Sequence, residues 1–447
     1  MNETTSGPKG LPVTGNLLSF RRNPLQFLQT AAKTHGDVVL FRFGPKRNIY
    51  LLTNPDLIKE VLVTKQGSFR KGKGLQVARA VVGDGILTAE GSKHMRQRRL
   101  IQPAFHKERI AGYGEAMVRQ AVDLMADWKS GEVRDIHHDM MRVTLAIITQ
   151  TMFGKSVKEG AEEIGHAIEV GLKYVANKAS SFIDVPLSVP TRSNREFLEA
   201  SETLDKTIYS LIEERKKNGA TGQDDLLGML LAARDEDDGT GMTDEQVRDE
   251  VMTIFVAGHE TTANTMSWIF YLLAQHPEAE KKLHDELSAV LGDRLPTVAD
   301  IPQLIYTNLI VQETLRLYPA AWAINREPIE EVEIGGHAYQ PGETLMMSQY
   351  VMHRDKRYYE NPDAFLPERF AGDLLKRIPA FAYFPFGGGP RVCIGNNFAL
   401  MEVPLLLATF AQRYRMRLAE PNQVVELEPV VTLRPKNGLP MRLEKRE

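Results

Sequence analysis

The stretch Phe386-Gly387-Gly388-Gly389-Pro390-Arg391-Val392-Cys393-Ile394-Gly395 contains the single cysteine of a 447-residue chain. Its glycines and proline predict a loop, and residues 396–415 after it have the apolar spacing of a helix. A lone cysteine in a large protein is most often a buried, unreactive hydrophobic residue. At the start of a helix, however, the dipole and the unpaired N–H groups favour the thiolate, which is a nucleophile or a metal ligand.

The overall composition is that of a globular protein. The chain has 55 Lys and Arg against 58 Asp and Glu, a net charge of −3, and 43% hydrophobic residues, which argues against a nucleic-acid binder or a disordered chain. One cysteine excludes an internal disulfide framework and a cysteine-based zinc site. There is no signal-peptide pattern and no stretch of roughly 18 apolar residues. We therefore expect a cytoplasmic protein with no membrane anchor and no nucleic-acid partner.

The spacing of apolar residues predicts a mainly helical chain with a smaller β-rich part. Residues 36–52 predict a hairpin that turns at Gly44 and Pro45, whereas most segments after Lys93 have helical periodicity. Residues 180–194 and 217–243, which are rich in Pro or in Gly and Asp, are predicted to be loops.

A long central helix is predicted to start at the capping box Thr243-Asp244-Glu245-Gln246 and to run toward Leu273. It is apolar on nearly every face, so it should be buried, yet it contains a polar cluster from His259 to Asn264. Buried polar groups cost free energy unless they are hydrogen-bonded, so this cluster indicates either function or well-satisfied polar groups.

Three other segments resemble metal- or nucleotide-binding motifs but lack residues that those motifs require. His259-Glu260 lacks the second histidine of a zinc helix, because Ala263 stands in its place. The acidic residues 235–239 do not have the spacing of a calcium loop, and no Lys-Ser or Lys-Thr follows Gly387-Gly388-Gly389 to hold a nucleotide.

The cysteine segment resembles the F-x-x-G-x-R-x-C-x-G signature of the cytochromes P450, the haem-thiolate monooxygenases, with every fixed position matched. The resemblance implies a mainly α fold, with a large helical domain, a small β-rich lobe and haem b buried between the central helix and the cysteine loop. It also implies that Cys393 is the axial ligand of the haem iron. The other residues at the haem would be Phe386, Gly387, Arg391, Gly395 and Ala399, with Arg391 on a propionate.

Two further signatures support the cysteine loop in that family. Glu313-Thr314-Leu315-Arg316 resembles its E-x-x-R helix and Pro367-Glu368-Arg369-Phe370 its P-E-R-F turn. Taken alone, a Glu and an Arg three apart usually form a surface pair worth about 0.2–0.5 kcal/mol. The flanking apolar residues favour burial instead, where the pair needs a third partner, and Arg369 is the candidate.

The segment Ala257-Gly258-His259-Glu260-Thr261-Thr262 resembles the family's distal-helix motif. The resemblance implies room for dioxygen beside Ala257 and Gly258, and a relay in which Glu260 feeds protons through Thr261. The simpler interpretation is that Thr261 only hydrogen-bonds to the carbonyl of Ala257, as Thr often does in helices.

Three more residues would reach the propionates by the same resemblance: His94 and Arg98 on one helix, and Arg326 on a strand. The basic run 93–99 could equally be a solvated face. Arg96, Arg99 and Lys107 could instead belong to a cationic docking face for an acidic electron-transfer protein.

The implied organisation is an extended arm at residues 1–20 and a single domain at 21–447. Within it, the β-rich lobe is expected at about 36–70 and 320–350, and the helical body at about 90–318 and 393–415. Terminal strands are expected at 424–443.

The expected reaction is insertion of one oxygen atom from O2 into a lipophilic substrate such as a fatty acid, terpenoid, steroid or carotenoid. Electrons would come ultimately from NAD(P)H through a ferredoxin or flavodoxin with its reductase, and the enzyme is expected to be a monomer. A mostly apolar pocket is expected at Val77, Val81, Val82, Phe182, Ile183, Phe255, Ala257, Ala321, Ile324 and Thr432. Two alternatives stay open: a peroxide-driven peroxygenase or isomerase on the same haem fold, and a haem-free lipid-binding protein.

Overall fold

The architecture comes from a computed structural model of the chain. It describes residues 6–154, 185–217, 225–421 and 423–446, together with positions 165, 167, 168, 170, 171, 173–175 and 178. Helices and strands are numbered below in chain order over these residues.

The chain divides into two compact units, each built from separate segments. The first unit comprises residues 1–72, 309–393 and 427–434, and the second comprises residues 73–308, 394–426 and 435–447. The two segments expected to be β-rich, 36–70 and 320–350, both fall in the first unit.

The first unit is organised around a five-stranded sheet in the order β1-β2-β8-β5-β3. The predicted hairpin is confirmed: β1 pairs antiparallel with β2 from Val38 opposite Leu52 to Phe43 opposite Arg47, and Gly44 makes the turn with φ of +74°. The strands of the sheet are β1 (Val38–Phe43), β2 (Arg47–Leu52), β3 (Phe69–Lys71), β5 (Ile324–Pro328) and β8 (Thr344–Met347).

Short helices and two small strand pairs complete this unit. Apolar residues of α2, β1 and β2 pack into one cluster around Phe41 and Leu51, both of which are fully buried. The helices are α1 (Leu17–Arg22), α2 (Pro24–His35), α3 (Pro55–Lys59), α14 (Gln349–Met352) and α15 (Leu374–Arg377), with a π-helical turn at Glu60–Thr64. The strand pairs are β6 (Val332–Ile334) with β7 (His337–Tyr339) and β10 (Leu427–Pro429) with β11 (Leu433–Pro435).

A fully buried ion pair lies in the polar core of this unit. Arg316, near the end of α13 (Ile305–Leu317), donates to both oxygens of Glu313 at 2.7 Å each. Neither side chain is exposed. The remaining donors of the guanidinium reach three backbone carbonyls, those of His353 (2.8 Å), Pro362 (2.6 Å) and Ala364 (2.9 Å).

Glu313 also holds the segment that follows these carbonyls. Its Oε1 accepts from the backbone N–H of Leu366 at 2.9 Å and lies 3.4 Å from Nε of Arg369. Arg369 is therefore the third partner that the sequence indicated. The buried charges are compensated by paired charge and by hydrogen bonds, which is the condition for such a cluster to be stable.

The second unit is mainly helical. Its helices are α4 (Lys73–Val82), α5 (Gly91–Ile101), α6 (Lys107–Ala111), α7 (Gly114–Met125), α8 (Ile136–Phe153), α9 (Arg192–Lys217), α10 (Leu226–Ala232), α11 (Asp244–Gln275), α12 (Pro277–Leu291) and α16 (Asn396–Arg413). A three-stranded antiparallel sheet has the order β4-β12-β9, from β4 (Val133–Asp135), β12 (Pro440–Lys445) and β9 (Tyr414–Leu418).

The central helix α11 begins where the sequence predicts. The Thr243 hydroxyl accepts from the N–H of Gln246 at 3.2 Å, and the Gln246 side chain accepts from the N–H of Thr243 at 3.0 Å. Most of its 32 residues are buried, and its apolar residues join α4, α8, α9 and α10 in one cluster. Among the described residues, no helix is both long enough and apolar enough to cross a bilayer.

One predicted loop is partly wrong. Residues 217–243 include α10, a seven-residue helix whose N-cap Asp225 accepts from the N–H of Gly228 at 2.8 Å. Its apolar residues Leu226, Leu227 and Leu230 are buried, so packing outweighs the Gly- and Asp-rich flanks that indicated a loop. Similarly, α9 begins at Arg192, inside the other predicted loop at residues 180–194.

A second buried carboxyl group links two helices of this unit. The Thr262 hydroxyl on α11 donates to Oε2 of Glu402 on α16 at 3.0 Å, and Glu402 is 1% exposed. Burial raises the pKa of Glu402 to about 8, against a smaller opposing effect of the hydrogen bond. Glu402 is therefore mostly protonated at neutral pH.

Replacement of Arg316 by Lys should lower the free energy of unfolding by about 3–5 kcal/mol, because an ammonium group cannot reproduce the five hydrogen bonds of the guanidinium. Urea unfolding of the wild type and the variant under the same conditions measures the change. Arg192→Lys is the matched control, since Arg192 pairs with Glu196 at 2.7 Å on the exposed surface of α9, and it should leave the free energy of unfolding unchanged within experimental error. A loss in Arg316→Lys no larger than in this control would contradict the assigned role.

Glu402→Gln should flatten the pH dependence of stability. The folded-state pKa of Glu402 is raised, so its contribution to stability is complete below the ordinary pKa of 4.5 and is lost as the pH rises through about 8. Over that window the wild type should lose up to about 1.4 kcal/mol per pH unit relative to the variant. Urea unfolding at pH 5, 6.5 and 8 tests this, with Glu108→Gln on the exposed face of α6 as control. Parallel pH profiles for the wild type and Glu402→Gln would rule it out.

Candidate active site

The cysteine loop closes the first unit. Cys393 is exposed, and its backbone N–H donates to the carbonyl of Phe386 at 3.0 Å, which folds residues 386–393 into a tight loop. Helix α16 begins three residues later, at Asn396, with Gly395 as its N-cap. The loop thus presents the thiol outward instead of burying it, unlike the common inert cysteine.

The glycines of this loop are required by close packing. Gly389 has φ of +68°, and a Cβ there would lie 2.0 Å from the carbonyl oxygen of Leu62. A Cβ on Gly388 would lie 2.4 Å from the Phe381 ring, and one on Gly387 would lie 3.3 Å from Ile324. At Gly388 and Gly389 a side chain would clash with the unit, whereas at Gly387 the φ of +74° favours glycine.

Cationic side chains gather at the sheet edge beside this loop. Nη2 of Arg391 lies 3.4 Å from the carbonyl oxygen of Phe69 on β3. Arg326 on β5 is directly opposite Lys71 on β3, and both are less than 10% exposed. Like charges directly opposite each other on two strands are destabilising, so this edge suits an anionic group. The sequence analysis names Arg326 and Arg391 as candidates but not Lys71, whose local signal is only a cation in a short strand.

In the second unit, α11 has a narrow open strip on an otherwise buried surface. Ala257 is exposed, and Gly258 and Thr261 are half-buried, whereas the neighbouring residues Phe255, His259 and Glu260 are buried. Ala257 and Thr261 are four residues apart and share one helix face. Small residues and one hydroxyl on an open strip of a central helix leave room for a ligand.

The polar groups of the strip have defined partners. The Thr261 hydroxyl donates to the carbonyl of Ala257 at 2.7 Å, as the simpler interpretation predicted. Next to it, Nε2 of His259 lies 3.0 Å from the carbonyl oxygen of Met141, and burial lowers the pKa of His259 to about 4. His259 is therefore neutral at pH 7 and leaves Glu260 as the ionisable neighbour of Thr261.

The candidate propionate residues of α5 share one face. His94 is 3% exposed and Arg98 is half-buried one turn later. Their neighbours Arg96 and Arg99 are bound instead to the acidic loop: Asp235 lies 3.1 Å from each, and Asp237 lies 2.6 Å from Arg99. These carboxylates offset the positive charge on which the expected docking face depends.

The expected pocket residues fall into separate groups. Val81, Val82 and Phe255 belong to one buried cluster, with Val77 packed against it. Ala321, Ile324 and Thr432 lie in the first unit, and Phe182 and Ile183 lie outside the described residues.

The loop after α4 is fastened to α11. The backbone N–H of Asp84 donates to Oδ2 of Asp249 at 2.7 Å, and that of Ile86 donates to Oε2 of Glu250 at 2.9 Å. Two carboxylates therefore fix the position of α4 and its valines on the central helix.

The remaining candidate residues lie at the start of α16 and in the buried ion-pair cluster of the first unit. Gly395 and Ala399 lie at the start of α16 and are half-buried. Glu313, Arg316 and Arg369 form the buried cluster described above, which holds residues 353–369 ahead of the cysteine loop.

Comparison with known proteins gives one consistent result. The family model for cytochrome P450 matches residues 5–441. The chain is 37% identical to cyclooctatin synthase and 36% identical to cyclooctat-9-en-7-ol 5-monooxygenase, both of Streptomyces melanosporofaciens. These matches cover 92% and 93% of this chain and 90% of each relative. It is 33% identical to pentalenene oxygenase of Streptomyces avermitilis, over 99% of this chain and 97% of that protein.

The mainly helical architecture with small sheets is the fold that the sequence resemblance implied. Within the first unit, an outward cysteine on a glycine loop and cations at a nearby strand edge agree with a haem-thiolate site. Over nearly its whole length, the chain belongs to the cytochrome P450 family and is a cytochrome P450 monooxygenase.

Proposed function

We propose that the protein binds haem b through Cys393 and hydroxylates or epoxidises a terpenoid. The observation that carries the proposal is the exposed Cys393 at the end of a loop whose glycines allow no side chain. The electrons come from NAD(P)H through a ferredoxin or flavodoxin and its reductase.

The residues present fit the prosthetic group that the family implies. Cys393 supplies the thiolate ligand. Arg391 and Arg326, with Lys71 opposite Arg326, supply cations for the haem propionates. His94 and Arg98 are further candidates for binding the propionates. When bound, a thiolate-ligated haem supplies the redox chemistry that activates dioxygen.

Thr261 acts as a hydrogen-bond acceptor in this proposal. Its hydroxyl proton is donated to the carbonyl of Ala257, so the lone pairs of Oγ1 are directed toward other donors. A hydroxyl that accepts a hydrogen bond can hold a protonated oxygen species or a water in place. Glu260, 4% exposed and adjacent in sequence, is the proton source, because neutral His259 is not.

Two observations favour a terpenoid among the lipophilic substrates expected. The relatives named above are, by their names, enzymes that act on cyclooctat-9-en-7-ol and pentalenene. The side chains of α4 that pack near α11 are the aliphatic Val77, Val81 and Val82, which match a hydrocarbon skeleton and offer nothing to a charged group.

The ligand assignment is tested by the absorption spectrum of the dithionite-reduced protein under carbon monoxide. The wild type should show the strongly red-shifted Soret band of thiolate-ligated haem, and Cys393→Ser should lose it while it still binds haem. Haem content by the pyridine method controls for occupancy. A wild-type spectrum without that band, at full occupancy, would refute the axial thiolate and the proposed reaction with it.

Thr261→Ala should uncouple electron use from product formation. With a cyclic terpene alcohol as substrate, product formed per NAD(P)H consumed should fall at least about tenfold, because a positioned proton-transfer group is worth that much or more. Thr265→Ala is the matched control: Thr265 makes the same bond one turn along, to the carbonyl of Thr261 at 2.9 Å. It should stay within about twofold of the wild type.

The substrate class and the oxidant are tested in the same assay. A saturated fatty acid of equal carbon number should be converted more slowly than the terpenoid, and faster conversion would overturn the substrate assignment. Turnover driven by hydrogen peroxide that matches the rate with the reductase, in the wild type and in Thr261→Ala alike, would favour the peroxygenase alternative.

A further inference from the structure

A cationic cleft lies in the second unit, where α11 ends and α12 begins. It has a volume of about 430 Å³ and is lined by α12, by β9 and by the residue after β12. Four cations line it: Lys281 on α12, Arg415 and Arg417 on β9, and Arg446. Arg415 and Arg417 are two residues apart on a strand, so both lie on the same face of the sheet.

Two of the four cations are neutralised by carboxylates. Arg417 binds both oxygens of Glu280 at 2.8 Å each, and Lys281 lies 2.7 Å from Asp285. Within the part of the chain that the structure describes, neither Arg415 nor Arg446 has a carboxylate at ion-pair distance. The lining residues therefore carry two more positive than negative charges, and Glu444 on β12, which lies 3.5 Å from Nε of Arg417 and directly opposite Arg415, reduces this surplus to one.

One of these two guanidinium groups is anchored by hydrogen bonds, and the other is exposed. Arg446 is fixed through its own backbone N–H, which donates to the carbonyl of Arg413, and through Nη1, which donates to that of Ala411, both at 2.8 Å. Burial lowers the pKa of Arg446 and repulsion from Arg415 lowers it further, whereas Glu280 and Asp285 act in the opposite direction. An anion bound between the two groups would relieve the repulsion between them.

The cleft also contains a neutral donor. His284 on α12 is 6% exposed, and burial together with the three arginines lowers its pKa to about 3. Its ring is therefore neutral at pH 7 and can donate one N–H without adding a positive charge. The hydroxyl of Ser288, which also lines the cleft, is a second neutral group.

We propose that this cleft binds the phosphoryl group of a small phosphorylated molecule or lipid headgroup. A phosphoryl group carries close to two negative charges at neutral pH and so can pair with the guanidinium groups of both Arg415 and Arg446. The planar guanidinium fork binds phosphate oxygens in pairs. The volume lies in the range of about 300–1,000 Å³ that is typical of small-molecule sites, so the cleft has room for more than the phosphoryl group alone.

Calorimetric titration of the full-length holoprotein with inorganic diphosphate, at constant ionic strength maintained with chloride, tests the site. We expect saturable binding of one anion per chain. Arg415→Gln should weaken it at least about tenfold; the Arg415 side chain is exposed and makes no described hydrogen bond, so this variant should fold. Arg446→Gln should have the same effect, with its thermal midpoint measured as a check on folding. Arg119→Gln, an exposed arginine on α7 with the same charge change, should bind like the wild type.

A second arm identifies the source of the phosphoryl group. The protein is sedimented with phosphatidylcholine vesicles that contain phosphatidic acid. Binding that Arg415→Gln abolishes and Arg119→Gln does not would assign a lipid headgroup, whereas diphosphate binding without vesicle binding would assign a free phosphorylated molecule. No saturable binding in either arm, or an equal loss in Arg119→Gln, would overturn the proposal.

Discussion

The first unit depends on a charge that has no access to water. Arg316 and Glu313 are both fully buried, and isolated ions in such a place would cost several kcal/mol each. The cost is offset because the guanidinium uses five hydrogen bonds and the carboxylate accepts from a backbone N–H as well. Three of the bonds from Arg316 go to backbone carbonyls of an irregular segment. No helix or sheet bond is available to those carbonyls, so the guanidinium satisfies them. One ion pair therefore fixes the path of the chain as it approaches the cysteine loop.

In the second unit, the buried central helix α11 contains several polar side chains beside its open strip. Thr261 and Thr265 satisfy their hydroxyls on carbonyls of the helix itself. Thr262 uses a neutralised carboxyl group on another helix, and His259 uses a carbonyl of α8. Each of these four side chains thus has a hydrogen-bond partner, which offsets the cost of burying polar groups in this helix.

Local signals in the sequence predicted the local structure well. The capping box at Thr243 and the hairpin at Gly44 follow from short-range hydrogen bonding and turn geometry, and both were found where expected. The E-x-x-R pair was predicted to be buried from its apolar neighbours alone. In contrast, helix α10 was missed, because its seven residues are too few to show a helical period and are stabilised by packing.

Apart from the contact of Arg369 with Glu313, the contacts between distant residues discussed here could not be predicted. Arg96 and Arg99 look like a free basic surface in the sequence, because Asp235, which pairs with both, is more than 130 residues away. Lys71 becomes a candidate only when β3 pairs with β5, and the cationic cleft exists only because β9, β12 and α12 come together. The local pattern of residues along the sequence does not show which distant segments pair.

The attachment of the loop after α4 to α11 also has a kinetic consequence. Asp249 and Glu250 each hold one backbone N–H of that loop, so a displacement of α4 from α11 has to break both hydrogen bonds. Collective openings of this kind take microseconds to milliseconds, far slower than the rotation of a surface side chain. The rate at which α4 moves relative to α11 is therefore limited by these two side chains.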